Sequence, residues 1–278
     1  MTAIALTGST GSVGGMVARR LSEQGTGARL LVRDPTRAPE LPHTDVAQAE
    51  FGGDACRVAL QGADVVFMVS VHESADRVDV HRAFVEAAVD AGVRQIVYTS
   101  FVGAGDSSGF LLGRDHGTTE AIIRESGLEF TFLRDNFYAE VFPGYADELG
   151  VIRGPAGNGR VAAVSQRDVA EVAAAVLQDP VAHAGQTYDL TGPEALTLDE
   201  IAETLTRVTG RPHRFVDETM EQARASRAAY HAPDWLVDAW ISTYTAIRDG
   251  ELDDVSDAVP TLLGRPATSL ADAVSAMR

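Results

Sequence analysis

The stretch Ala3-Ile4-Ala5-Leu6-Thr7-Gly8-Ser9-Thr10-Gly11-Ser12-Val13-Gly14-Gly15 limits what this chain can fold into more than any other. A short apolar run that breaks into glycine and then into an amphipathic segment reads as strand, tight turn and helix. Glycines stand three apart at positions 8, 11 and 14. Glycine there permits a sharp turn and a close backbone approach, while the helix start offers unpaired amides and the positive end of its dipole to an anion. Alone, such a triplet marks only a tight turn. At the first βα junction of a βαβ unit it marks a pyrophosphate cradle.

The sequence that follows has that form. Apolar runs predict strands at Ala3–Thr7, Ala28–Val32, Val65–Ser70, Gln95–Ser100, Glu129–Leu133 and Thr187–Leu190. Amphipathic stretches between them predict helices at Val13–Gln24, Ala55–Leu60, Arg77–Ala91 and Thr118–Ser126, and another opening at Asp168 as its N-cap. Beyond Thr191-Gly192-Pro193 the pattern turns helical, starting at Thr197-Leu198-Asp199-Glu200 and continuing near Met220–Tyr230 and Trp235–Arg248. The expected architecture is α/β, a Rossmann-type doubly wound parallel sheet with a small, mainly helical C-terminal substrate domain. Its boundaries are set at 1–134 and 161–192 for the dinucleotide domain, with 135–160 and 193–278 forming the cap.

Composition narrows the function. With 45% hydrophobic and 23% charged residues the chain can fill a core. The formal charge of -17 repels phosphate backbones, so nucleic acid is not an expected partner. No apolar run is long enough to span a bilayer and no leader is apparent, so a cytoplasmic location without membrane contact is expected. A single cysteine, Cys56, excludes an internal disulfide and a cysteine-built zinc site, and no metal site is expected. All 23 basic residues are arginine. No Schiff-base lysine, lysine acid/base or P-loop lysine can operate.

The end of the second strand bears on the cofactor. An acidic residue there suits the ribose hydroxyls of NAD, whereas an arginine suits the 2′-phosphate of NADP. Arg33 occupies that place, 19 residues after Gly14, and points to NADP(H) in preference to NAD(H). A slip of one residue would instead offer Asp34 to a ribose, and a solvated surface charge is the plainer reading of Arg33. The Tyr-x-x-x-Lys pair of standard short-chain dehydrogenases is missing, since there is no lysine. At the corresponding helix start, Leu112 takes the tyrosine place and His116 the lysine place. A neutral imidazole there can hydrogen-bond a ribose or relay a proton, or it can be a structural histidine.

The pattern His116-x-x-x-Glu120, followed by Phe130-Thr131-Phe132-Leu133-Arg134-Asp135-Asn136-Phe137-Tyr138, resembles the NmrA-like atypical short-chain dehydrogenase/reductases. The bacterial branch with type 2 NAD(P)H:quinone oxidoreductases and triphenylmethane reductase is the most similar. Val32-Arg33-Asp34-Pro35, Gln95-Ile96-Val97-Tyr98-Thr99-Ser100 and Leu190-Thr191-Gly192-Pro193 extend the resemblance over essentially the whole chain. It implies that Thr7, Gly8, Ser9, Thr10, Gly11, Ser12 and Val13 hold the pyrophosphate, with Arg33 on the 2′-phosphate. Phe51 falls beside adenine, although Glu50 stands where the family carries Asp. Ser70 and Val71 lie along the ribose path, and His116 touches the nicotinamide ribose. Asn136, Phe137 and Tyr138 line the nicotinamide and acceptor pocket, with core packing as the alternative for the two rings.

The implied function is NADPH-dependent reduction of a quinone or similar planar conjugated acceptor by a monomer or homodimer. His116 and Tyr138 are the candidate catalytic residues. Hydride transfer to an electron-poor carbon needs chiefly positioning, and an acceptor oxygen can take its proton from water. A non-catalytic NADP(H)-binding redox sensor that regulates a partner protein is the alternative.

Overall fold

A computed structural model describes residues 3–277; Met1, Thr2 and Arg278, the ends of the expected domains, lie outside the described residues. From the N-terminus come β1 (Ile4–Leu6), α1 (Ser12–Glu23), β2 (Ala28–Val32), β3 (Thr44–Gln48) and α2 (Gly53–Leu60). Next are β4 (Val65–Met68), α3 (Arg77–Ala91), β5 (Gln95–Phe101), α4 (Leu111–Glu125) and β6 (Glu129–Asp135). Then follow α5 (Phe142–Tyr145), β7 (Val151–Gly154), β8 (Arg160–Val161), α6 (Gln166–Gln178) and β9 (Gln186–Leu190). The chain continues through β10 (Leu196–Thr197), α7 (Leu198–Thr209), β11 (Arg214–Asp217), α8 (Met220–Arg227) and α9 (Asp234–Arg248). It closes with α10 (Ala258–Leu263) and α11 (Leu270–Ser275).

Seven strands form one sheet in the order β3-β2-β1-β4-β5-β6-β9. β1 pairs parallel with β2 and with β4, and β3 and β5 extend that parallel ladder on either side. The strand order reverses direction between β1 and β4, the switch point at which open α/β sheets bind ligands beyond their carboxyl ends. All seven residues of β5 are buried, as a strand covered on both faces must be. On α1, Val13, Val17, Ala18 and Leu21 recur at helical spacing and are all buried. Phe84, Tyr98, Ile96, Phe132 and Ile123 anchor the core on the α2–α3 side.

The chain divides into two compact units. The first comprises Met1–Ser100, Asp115–Arg134 and Arg167–Tyr188; the second comprises Phe101–Arg114, Asp135–Gln166 and Asp189–Arg278. Segments 101–114, 161–166 and 189–192, expected in the dinucleotide domain, therefore group with the second unit. That unit is mainly helical and adds two short sheets, antiparallel β8–β10 and parallel β7–β11. Its core gathers Phe101, Phe110, Phe142, Leu198, Ile201, Leu205, Tyr244 and Ile247.

Two local expectations are corrected. Asp168 does not cap α6 from outside; it sits in the helix's first turn and is fully buried. The cap comes from Glu140, whose two carboxylate oxygens each accept from the Gln166 amide at 3.1 Å. α4 starts at Leu111, well before Thr118, despite its glycines. A Cβ on Gly113 would sit 2.7 Å from Ser108 Oγ, so the glycine serves close packing.

Candidate functional site

In the first unit the glycine turn adopts the geometry its sequence demands. Gly8 has φ +68°, and a Cβ there would lie 2.8 Å from Val69 Cβ, beyond the end of β4. A Cβ on Gly14 would lie 2.3 Å from the Gly8 carbonyl oxygen. Glycine is thus required at both positions, while Gly11 is under less steric pressure, its amide donating to Gly8 O at 2.9 Å. Thr7 locks the switch point: its Oγ1 donates to Phe67 O and accepts from the Val69 amide at 2.9 Å. Gly11 caps α1 with no side chain and the first turn carries no acidic residue, leaving an anion-receptive helix start. Thr10, Gly11 and Ser12 are exposed there, and Val13 is buried against the core. Ser9 Oγ is buried with no hydrogen-bond partner among the described residues. An orphaned hydroxyl beside a cradle that only glycine can form fits a bound pyrophosphate.

Past β2, Arg33 and Arg37 are both exposed. No hydrogen bond or ion pair among the described residues holds the Arg33 guanidinium. Asp34 is committed elsewhere: its Oδ1 accepts from the Thr36 amide at 3.0 Å and from Thr36 Oγ1 at 2.7 Å. These bonds hold its carboxyl below the usual range and cap the short 3₁₀ turn Pro35–Arg37. Arg37, which the sequence reading did not single out, closes that turn, its amide donating to the Asp34 carbonyl at 3.1 Å.

Phe51 is half-buried, its ring 4.4 Å from that of Phe84, and Glu50 beside it is exposed. Ser70 and Val71 lie beyond β4, which ends earlier than expected, at Met68. Their amides are pinned: Ser70 N–H donates to Thr99 Oγ1 and Val71 N–H to His81 Nε2 at 3.1 Å. With that ring nitrogen accepting, His81 carries its proton on Nδ1 and donates to Thr119 Oγ1 at 2.9 Å.

His116 is wired into the same network. Arg77 Nη2 donates to its Nε2 at 3.0 Å, so Nδ1 carries the proton and donates to the Tyr98 hydroxyl at 2.9 Å. Arg77 Nε in turn donates to the Val71 carbonyl at 3.1 Å. Burial, with the Arg77 charge, drives His116 well below the ordinary imidazole value and His81 down to about 3. Both rings are neutral, and both nitrogens of each are engaged within the protein. Arg77 thus links the His116 ring to the Val71 carbonyl. Glu120, its partner in the motif, is buried and takes both Arg134 Nε at 2.8 Å and Nη2 at 2.7 Å, with Ser100 Oγ at 2.6 Å.

In the second unit, Asn136 is buried with its amide spent: Nδ2 donates to Leu252 O at 3.0 Å and Oδ1 accepts from the Phe137 amide. The Phe137 ring packs on Phe101 and Phe110, at 5.0 and 5.2 Å between centroids. Tyr138 Oη donates to Asp135 Oδ2 at 2.6 Å. Asp135, which the sequence reading passed over, is buried, and desolvation raises its carboxyl to about 8. No group of three or more metal-ligating side chains occurs among the described residues.

Known proteins are similar to this chain in sequence and in fold. A family profile described as NAD(P)H-binding matches residues 8–180. An NAD(P)H azoreductase of Xenophilus azovorans is 35% identical, over 97% of this chain and 96% of its own. The structure of an NADPH-dependent quinone oxidoreductase from Escherichia coli, complexed with NADPH, superposes with a TM-score of 0.89 at 33% identity, covering 99% of each chain. That of a Citrobacter triphenylmethane reductase complexed with NADP(H) gives 0.85 at 28% identity, over 99% of this chain and 100% of the other. The cradle around Ser9 and these full-length likenesses agree: the chain belongs to the NAD(P)H-binding family, in its NmrA-like branch of reductases.

Proposed function

We propose that this protein is an NADPH-dependent reductase that delivers hydride to a quinone or a similar planar conjugated acceptor. The observation that carries the cofactor choice is the pairing of an exposed, uncommitted Arg33 with an Asp34 already consumed by Thr36. A guanidinium at that place grips a 2′-phosphate in bidentate fashion, with Arg37 as a second cation, whereas a capping carboxylate is a poor ribose ligand. The acceptor class rests on the quinone oxidoreductase and azoreductase relatives.

Thr7, Gly8, Ser9, Thr10, Gly11, Ser12 and Val13 would hold the pyrophosphate, with Ser9 Oγ finding there the partner it lacks. Phe51 would flank the adenine, and Ser70 and Val71 the ribose. Bound in this way, the nucleotide supplies a hydride from its dihydronicotinamide ring. His116 keeps the Val71 loop in place through Arg77 and moves no proton itself. Asn136 holds the shape of the loop after β6, while Phe137 and Tyr138 serve the acceptor. The second unit is the acceptor unit in this reading.

The test is NADPH and NADH oxidation measured against a panel of quinones, azo compounds, cationic dyes and simple carbonyls. Quinones are expected to be reduced with NADPH favoured. Tight NADPH binding without turnover of any acceptor would make the protein a redox sensor.

A further inference from the structure

The pair Asp135–Tyr138 is built for more than lining a pocket. Asp135 is the last residue of β6 and only 3% exposed. One carboxylate oxygen meets Tyr138 Oη at 2.6 Å; the other, Oδ1, is buried with no hydrogen-bond partner among the described residues. An ionised carboxylate would leave that oxygen charged and bare, which is costly, whereas a protonated one is tolerated. Burial accordingly holds the carboxyl up to about 8 and the phenol well above its ordinary value. Glu140 is the other charge facing Tyr138, and its carboxylate is tied to Ser165 Oγ and the Gln166 amide. A hydrogen between phenol and carboxyl oxygens can belong to either. When the neutral acid donates to Oη, the phenol's own O–H is released to a third group. The carboxyl end of a parallel strand, where Asp135 stands, is the end at which such sheets bind their ligands.

We infer that Tyr138 is the proton donor to the acceptor's heteroatom and that Asp135 reloads it. This rests on the reductase reading above. The Tyr138 O–H bond breaks as an O–H bond forms on one quinone carbonyl oxygen, while the two electrons arrive with the hydride as a C–H bond at a ring carbon. That carbon then loses its proton to water as the second oxygen gains one, which restores the aromatic hydroquinone. The Asp135 proton passes to Oη, and Asp135 regains a proton from water, so the sum is one hydride and one proton per hydroquinone. Tyr138 is thus a catalytic residue, and Asp135 acts through it. A lysine-free chain would have replaced the lysine-assisted tyrosine of standard short-chain dehydrogenases with a carboxyl-assisted one on another element.

Two acceptors separate this role from a structural one. A triarylmethyl cation dye takes a hydride alone and becomes neutral; 1,4-naphthoquinone needs a hydride and a proton. In Tyr138→Phe and Asp135→Asn, quinone kcat is expected to fall about 10- to 100-fold, and to fall at least about ten-fold further than dye kcat does in the same variant. The fall of wild-type quinone kcat above about pH 8 is expected to vanish in Asp135→Asn. Where the dye is not turned over, a solvent deuterium isotope effect on quinone kcat, present in the wild type and lost in Tyr138→Phe, reads the same step. Equal losses on both acceptors, or an unchanged quinone kcat, overturn the inference. One readout needs no turnover: the ¹³C-carboxyl resonance missing from Asp135→Asn should move when naphthoquinone is added to the NADP⁺ complex. Absence of wild-type turnover defeats the reductase reading, and a carboxyl resonance indifferent to quinone defeats the pair.

Discussion

Arg33 and Asp34 are neighbours with opposite assignments, and the difference lies in what each already holds. Replacing Arg33 with Ala should weaken NADPH binding by about 1.5–3 kcal/mol, the range for hydrogen bonds to charged groups, and leave NADH nearly unchanged. Titration calorimetry with both nucleotides checks this; an equal loss for both would remove Arg33 from the 2′-phosphate. The buried histidines give a pH signature. His81 is pushed down from 6.5 to about 3 in the folded protein. The unfolded chain therefore takes up a proton that the native one refuses, and stability falls as the pH drops from 6.5 towards 3. Between pH 7 and 5 this costs about 2 kcal/mol for that histidine. Asp135, with its raised carboxyl, gains over the same window, so the measurement is a difference. His81→Gln should lose about 2 kcal/mol less than the wild type in urea denaturation at pH 5 relative to pH 7; parallel losses would show His81 protonated in the native state. For His116→Ala, turnover should drop less than about ten-fold, while stability falls by about 1–3 kcal/mol because Arg77 and Tyr98 each lose a buried partner.

At the scale of elements, what could be read in advance follows hydrophobic patterning. β2 and α3 were bounded correctly to the residue because apolar runs and turn glycines coincide there, Gly92 closing α3 in the left-handed conformation. The start of α7 was equally legible, Thr197 and Glu200 closing a reciprocal capping box. β3 escaped because it is a sheet edge: Thr44–Gln48 is polar, with none of its residues fully buried. β7 and β11 escaped because each is short and finds its partner some sixty residues away, as the register of Val151 with Arg214 shows. Of the candidate site, the glycine turn and Arg33 were visible as local spacing. The Arg77–His116–Tyr98 and Asp135–Tyr138 links depend on side-chain burial, which no spacing encodes. The turn from Ala228 to Tyr230 suggests a weak point: Tyr230 is 70% exposed and His231 takes φ +50°. Chymotrypsin should cut first after Tyr230, with mass spectrometry of the early fragments as the readout. First cleavage inside the 154–159 turn would be unexpected, because Ala156 is buried and Gly159 is packed against the Ile247 carbonyl.

For the whole molecule, a formal charge of -17 sets a background of self-repulsion that salt screens. The melting temperature should therefore rise between about 10 and 150 mM sodium chloride, across which the Debye length shrinks from about 30 to 8 Å. A flat or falling melting curve would mean that the arginine ion pairs dominate the field. The chain passes between its two units five times, at 100/101, 114/115, 134/135, 166/167 and 188/189. A single cut at any of these points leaves both fragments holding incomplete pieces, so neither half can be lifted out as a continuous gene segment. One recombination event therefore cannot exchange either unit whole. Exchanging a unit whole takes crossovers at all five junctions, whereas a substitution in place takes none.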